Sequence, residues 1–187
     1  MRADARRNRE RLLDAAVELI LEQSGEPPRD AIAARAQVGI GTLYRHFPDQ
    51  QTLLRAVALH VLDRSIAAGE EALDEATDGS EALRRYMHLA VDHGLGALNL
   101  IYRHIEDPQW PEQRERAESL LSSIVDRARS DGLMRHDVTA RDIGFAIVRA
   151  CRPLGVGLSL AEERTIAHRH IDIYVDGLAS DTGRAPD

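Results

Sequence analysis

Apolar residues recur at spacings of three and four along nearly the whole chain, and no segment alternates apolar with polar over the length of a strand. Such a pattern gives each helix one face to bury and gives a sheet none, so the chain is predicted to be all-α, with about nine helices. Leu12, Leu13, Ala16, Leu19 and Ile20 mark the first helix, which Gly25, Pro27 and Pro28 end. Two short helices follow, Arg29 to Ala36 and Ile40 to Phe47, joined by Gln37-Val38-Gly39 and closed by Pro48. Asp49 is placed to cap a long fourth helix that ends near Thr77-Asp78-Gly79.

The back of the chain reads the same way. Asp78 or Ser80 caps a fifth helix, Gly94 and Gly96 interrupt it, and a short segment runs from Ala97 to Ile105. Pro111 suits a first helical position, and Gly132 suits the C-cap of the helix that carries Leu120, Leu121, Ile124 and Val125. Thr139 with Asp142 and Ser159 with Glu162 have the spacing of capping boxes, which open the last two helices. The tail from Ser180 is expected to fray.

With 187 residues and 43% hydrophobic content, such a chain can bury one or two modest cores. No apolar stretch approaches the ~20 residues that cross a bilayer, so no membrane partner is expected. The basic start, Met1 to Arg9, runs into an amphipathic stretch without a signal peptide's apolar core. A cytoplasmic location is therefore expected, and the single cysteine, Cys151, fits a reducing compartment. Enzyme motifs are missing: there is no Gly-x-Ser-x-Gly, no phosphate loop and no His-Glu-x-x-His, and Cys151 lies in an apolar helical stretch. No catalytic residue and no cofactor is expected.

The net charge of −7 argues against nucleic acid until its distribution is considered. Met1 to His60 hold nine arginines against eight acids, whereas Val61 to Asp187 hold fifteen against twenty-three. The front third is the less acidic part, and all 24 basic residues are arginine, a side chain suited to bidentate contacts with phosphate and guanine.

That front third has the layout of a helix-turn-helix. Ile32, Ala33 and Ala36 supply a small face, Val38 plugs the turn and Leu43 packs back from the second helix. Its other face then presents Ile40, Gly41, Thr42, Tyr44, Arg45 and His46, a mixture of donors and apolar groups suited to base edges and phosphates. Arg2, Arg6, Arg7 and Arg9 form either an arm that follows the phosphates or a frayed basic tail.

The run Ile32-Ala33-Ala34-Arg35-Ala36-Gln37-Val38-Gly39-Ile40-Gly41-Thr42-Leu43-Tyr44-Arg45-His46-Phe47, followed by Pro48 and a helix, resembles the DNA-binding domain of TetR-type transcriptional regulators. Thr-Leu-Tyr-Arg-His-Phe is its most specific part, and the resemblance is strong over residues 8 to 60. It extends more weakly to Gly132-Leu133-Met134-Arg135-His136-Asp137-Val138-Thr139 and to Asp172-Ile173-Tyr174-Val175-Asp176-Gly177-Leu178.

The resemblance implies an all-helical homodimer, most often a repressor that a small molecule releases from a palindromic operator in double-stranded DNA. By matching positions, it implies base and phosphate contacts from Ile40, Gly41, Thr42 and Tyr44 and a phosphate contact from His46, with Arg45 as a further contact. Three positions depart from the pattern. Gln50 stands where a phosphate-binding lysine is usual, Gln37 where the turn usually has glycine, and Pro28-Arg29 where a hydroxyl cap and an apolar residue are usual. Arg29 is expected to meet a phosphate instead, and Gln50 to offer a neutral hydrogen bond.

Residues 1–50 are thus assigned to DNA reading and 51–187 to effector binding and dimerisation. A regulator needs a site that distinguishes two arrangements of its DNA-reading heads. The candidate effector residues, between helices four to seven, are Tyr86, Met87, Ala90, His93, Tyr102 and Trp110, which combine apolar area with polar tips. The dimer seam is assigned to the last two helices, through Ile143, Ile147, Ala150, Ile166, His170, Ile173 and Tyr174.

Eight histidines raise the question of a metal, but His168 and His170 diverge by about 200° on a helix, and pairs such as His168 with Asp172 or His88 with Asp92 fall short of a site. No metal is expected. The competing function is a helical small-molecule-binding protein without DNA binding, in which changing Tyr44 or His46 has no effect.

Overall fold

The structure, a computed structural model, describes residues 2–101 and 110–179. Among these residues there are nine helices and no strand: α1 (Arg2–Gln23), α2 (Arg29–Arg35), α3 (Ile40–His46), α4 (Gln50–Glu75), α5 (Gly79–Asp92), α6 (Gly96–Ile101), α7 (Trp110–Ser130), α8 (Ala140–Ala150) and α9 (Leu160–Asp176).

The caps read from the sequence are formed. The Asp49 carboxylate accepts from Thr52 N at 2.6 Å, and Asp78, not Ser80, caps α5 by accepting from Glu81 N at 2.9 Å. Both capping boxes are closed, Thr139 with Asp142 and Ser159 with Glu162. Each such cap satisfies amides that the helix cannot, and is worth about 1 kcal/mol.

The buried side chains fall into two clusters. The first joins α1, α2 and α3 to the front of α4, from Leu53 to Val61, and takes in Ala97 and Ile101 of α6. The second joins the back of α4, from Ala72, to α5, α7, α8 and α9. The packing therefore changes from one cluster to the other inside α4, between Val61 and Ala72.

Two glycines allow the close approaches on which this packing depends. A Cβ on Gly96 would lie 1.9 Å from the Cys151 carbonyl oxygen, and one on Gly79 would lie 2.2 Å from Ala128 N. The backbones of α6 and α5 thus rest directly on the end of α8 and on α7. The Cys151 side chain is half-buried there, and its desolvation pushes the thiol pKa up to about 12.

On the outer face of the second cluster, α5 and α9 are tied by charge and imidazole. Arg84 donates to Asp172 at 2.7 Å and also to Asp176. His88 Nε2 meets the same Asp172 oxygen at 3.0 Å, His168 Nε2 meets Asp92 at 3.0 Å, and the two Nδ1 atoms lie 2.6 Å apart. The sequence paired His168 with Asp172 and His88 with Asp92, each along one helix, whereas the structure crosses the partners between helices.

Candidate nucleic-acid interface

The angle between α2 and α3 is fixed by small residues and one turn. Ile32, Ala33, Ala36 and Leu43 are buried, and Val38 packs half-buried against the same core. The end of α2 closes with Val38 N donating to Ala33 O at 3.0 Å and Gln37 N to Ala34 O at 3.0 Å, the pairing of a Schellman motif. That motif needs a left-handed residue, and here it is Gln37, at φ 53°. A side chain in this region costs roughly 1–2 kcal/mol, which the buried Ile32-Ala33-Leu43 contact outweighs.

With Leu43 turned inward, the opposite face of α3 is open. Tyr44 is 50% exposed and Ile40 43%, Gly41 and Arg45 are exposed, and Thr42 and His46 are half-buried. A Cβ added to Gly41 would meet nothing within 4 Å, so nothing inside the protein requires glycine there. Arg45 lies along its own helix, donating to Thr42 Oγ1 at 2.9 Å and to Gly41 O at 3.3 Å. At the mouth of α4, the Gln50 amide reaches Glu26 at 3.5 Å.

Arg29 does not stand free for a phosphate as the sequence led us to expect. Its guanidinium turns to the far end of α3, donating to Pro48 O at 3.1 Å and to Phe47 O, and its Cζ lies 4.1 Å from the centroid of the Tyr44 ring. The first turn of α2 is a poor place for a cation and the last turn of α3 a good one, so the side chain reaches from one to the other. Sequence reasoning missed this because the contact spans eighteen residues and leaves no local pattern.

The basic start is neither an arm nor a frayed tail over the described residues. It is the first turns of α1, in which Arg7 pairs with Asp4 at 2.5 Å and Arg9 lies 5.5 Å from the Phe47 ring at the end of α3. A three-group contact then joins α1 to α4, where one Asp14 oxygen accepts from His60 Nε2 at 2.9 Å and from Arg64 at 2.8 Å. The His60 N–H first, and Arg64 with it, hold the Asp14 carboxyl below the usual range against the opposing effect of burial.

The residues assigned to an effector do not gather round one opening. Tyr86, Met87 and Ala90 are core residues, with the Tyr86 hydroxyl bonded to buried Ser65 at 3.0 Å. Met87 also borders a groove of about 540 Å³ between α5, α8 and α9. His93 is half-buried, with its pKa lowered by burial and then by the nearby Arg64, and Trp110 packs against the first core. Tyr102 lies outside the described residues. A second groove, of about 720 Å³, runs between α7 and α8 and is bordered by Arg114, Leu121, Phe145 and Val148.

The dimer assignment is corrected for two residues. Ile143 and Ile147 are fully buried inside the protomer, because α8 turns this i,i+4 pair toward α5 and α7. The apolar residues that α8 exposes are Phe145 (54%) and Val148, and α9 adds Ile173 at 60%. Of the other assigned residues, His170 is exposed, and Ala150, Ile166 and Tyr174 are half-buried. Among the described residues, no helix is long and apolar enough to cross a membrane, and no group of three or more His, Cys, Asp or Glu is arranged to hold a metal ion.

A helix-turn-helix whose second helix stands exposed on one core, joined through α4 to a separate helical body, is the architecture of a DNA-binding transcriptional regulator. Residues 12–57 match the model of the bacterial regulatory proteins, tetR family. The chain is 30% identical over 176 residues to the HTH-type transcriptional repressor LfrR of Mycolicibacterium smegmatis, covering 93% of this chain and 89% of that protein. The solved structure of LfrR in complex with proflavine covers 96% of this chain, and this chain covers 99% of it, with a TM-score of 0.68 and 25% identity. A TetR transcriptional regulator from Streptomyces coelicolor also superposes with a TM-score of 0.68, at 28% identity over 94% of this chain and 99% of its own. The chain belongs to the TetR family of bacterial transcriptional regulators.

Proposed function

We propose that the protein is a homodimeric repressor that sets α3 of each protomer into the major groove of a palindromic operator and leaves the DNA when a small molecule binds its helical body. Residues 1–50 read the DNA; residues 51–187 receive the effector and dimerise, in the cytoplasm and without a catalytic step. The observation that carries this reading is the exposed face of α3, Ile40, Gly41, Thr42, Tyr44, Arg45 and His46, held by buried Leu43. Its likeness to a repressor supports the direction of control, and that relative's complex with proflavine supports a small-molecule effector. The exposed Phe145, Val148 and Ile173 form the centre of the dimer seam, and because Phe145 and Val148 also border the grooves on either side of α8, an effector in those grooves is enclosed in part by the partner protomer.

The test is selection of bound duplexes from a random pool by the purified protein, over a series of salt concentrations. A two-fold symmetric motif with half-sites about one helical turn apart is expected. Tyr44→Ala is expected to weaken binding to that motif by about 1–3 kcal/mol without changing the oligomeric state. Failure to enrich any motif at low salt removes the repressor and favours the helical small-molecule-binding protein.

A further inference from the structure

Arg29 is the basic residue nearest the start of the helix-turn-helix, yet its charge faces the protein. Two of its N–H groups are bonded to Phe47 O and Pro48 O, its Nε is buried, and its Cζ lies over the Tyr44 ring, 4.1 Å from the centroid. The chain uses the same device elsewhere, where Arg127 reaches from α7 to the carbonyls of Leu73 and Ala76 at the end of α4, at 2.5 and 2.9 Å. In both cases an arginine supplies hydrogens to carbonyls at or just past the end of a helix, and a planar fork can serve two carbonyls at once.

At Arg29 there is a second consequence. Tyr44 is half exposed and pivots on two side-chain torsions, and a ring free to turn must lose that freedom before it can meet a base. The guanidinium lies over the ring, and half of Tyr44 remains exposed.

We propose that Arg29 is a positioning residue for DNA recognition. It docks the end of α3 on the start of α2 and orients Tyr44 in advance, and it contacts no phosphate itself. This rests on the reading of α3 as the DNA-binding helix.

A phosphate contact and a positioning contact leave different traces. Loss of a phosphate contact lowers the slope of log affinity against log salt by about one, and lysine replaces arginine there well. Loss of a positioning contact lowers affinity at every salt concentration with the slope unchanged. Lysine fails in it because an ammonium cannot stack flat on a ring while bridging two carbonyls.

Arg29→Met and Arg29→Lys are compared with the parent on the duplex that the parent selects, from about 50 to 200 mM salt. Both variants are expected to bind roughly tenfold more weakly with the parent's slope. On a Tyr44→Ala background, Arg29→Lys is expected to cost clearly less than in the parent, because the ring it orients is gone and only the docking of α3 is left to lose. Arg29→Lys retains the charge, and thermal unfolding checks that the head stays folded. A reduced slope, full activity of Arg29→Lys, or additive losses with Tyr44→Ala overturn the proposal. A parent protein that selects no duplex defeats the repressor reading instead.

Discussion

His88 on α5 and His168 on α9 bring their Nδ1 atoms to 2.6 Å, with ring centroids 4.9 Å apart, while each Nε2 is bonded to a carboxylate of the opposite helix. Two lone pairs do not face each other at that distance, so one ring donates and the other accepts. The pair therefore acts as one unit between two helices that sequence separates by eighty residues.

Its energetic signature is coupling. His88→Ala and His168→Ala are each expected to destabilise the fold, and the double variant is expected to lose about 1 kcal/mol less than their sum. Denaturant midpoints of the four proteins measure this, and strict additivity would show that the rings do not interact.

Asp14 gives the chain an acid-sensitive joint between α1 and α4. Its carboxyl is held below the ordinary range by His60 and Arg64, so the unfolded chain takes up the proton first as pH falls. The contribution is complete above about pH 5 and is lost as pH falls through the lowered folded value. Stability curves of the parent and Asp14→Asn should thus lie apart at neutral pH and converge in acid; parallel curves would rule out the contact.

Gln37 holds a left-handed backbone that glycine adopts without cost. Gln37→Gly is expected to stabilise the protein by about 0.5–1 kcal/mol, or roughly 1–4 °C in Tm. A lower Tm would mean that the Gln37 amide, 3.4 Å from Arg11, matters more than the backbone.

Gly41 separates folding from recognition. In a helix with open space around its Cα, Gly41→Ala should raise stability by up to about 1 kcal/mol. It should weaken operator binding at the same time, because a methyl group keeps the backbone of α3 away from the DNA. Unchanged affinity would place Gly41 outside the interface.

Phe145→Asp puts a charge at the proposed dimer seam on a residue already 54% exposed, so the protomer should remain folded. Sedimentation is expected to show a monomer, and binding to the two-fold operator should fall with it. A persistent dimer would move the seam elsewhere.

Much of this fold was legible in the residues because its signals are local. Asp49, Thr139 with Asp142 and Ser159 with Glu162 announce helix starts within four residues, and Ala33, Val38 and Leu43 define the turn of the head within eleven. The orientation of α8 was not legible, since Ile143 and Ile147 lie on one side and Phe145 and Val148 on the other, and periodicity does not say which side a neighbour covers. Tyr86, Met87 and Ala90 look alike as pocket or as core until the packing around them is known. The crossed partners of His88 and His168, and the reach of Arg29 to Phe47, depend on tertiary contacts that no window of sequence contains.

Because α4 belongs to both cores, it is placed to act as a lever. Its 26 residues span about 39 Å, with one end packed in the head and the other in the body. A tilt of about 5° at the body end carries the head end through about 3.4 Å, the rise of one base pair. In the proposed dimer, two heads that must meet half-sites of fixed separation cannot both absorb such a displacement. A small molecule that shifts the body slightly therefore needs no contact with α3 to change whether the pair fits its DNA.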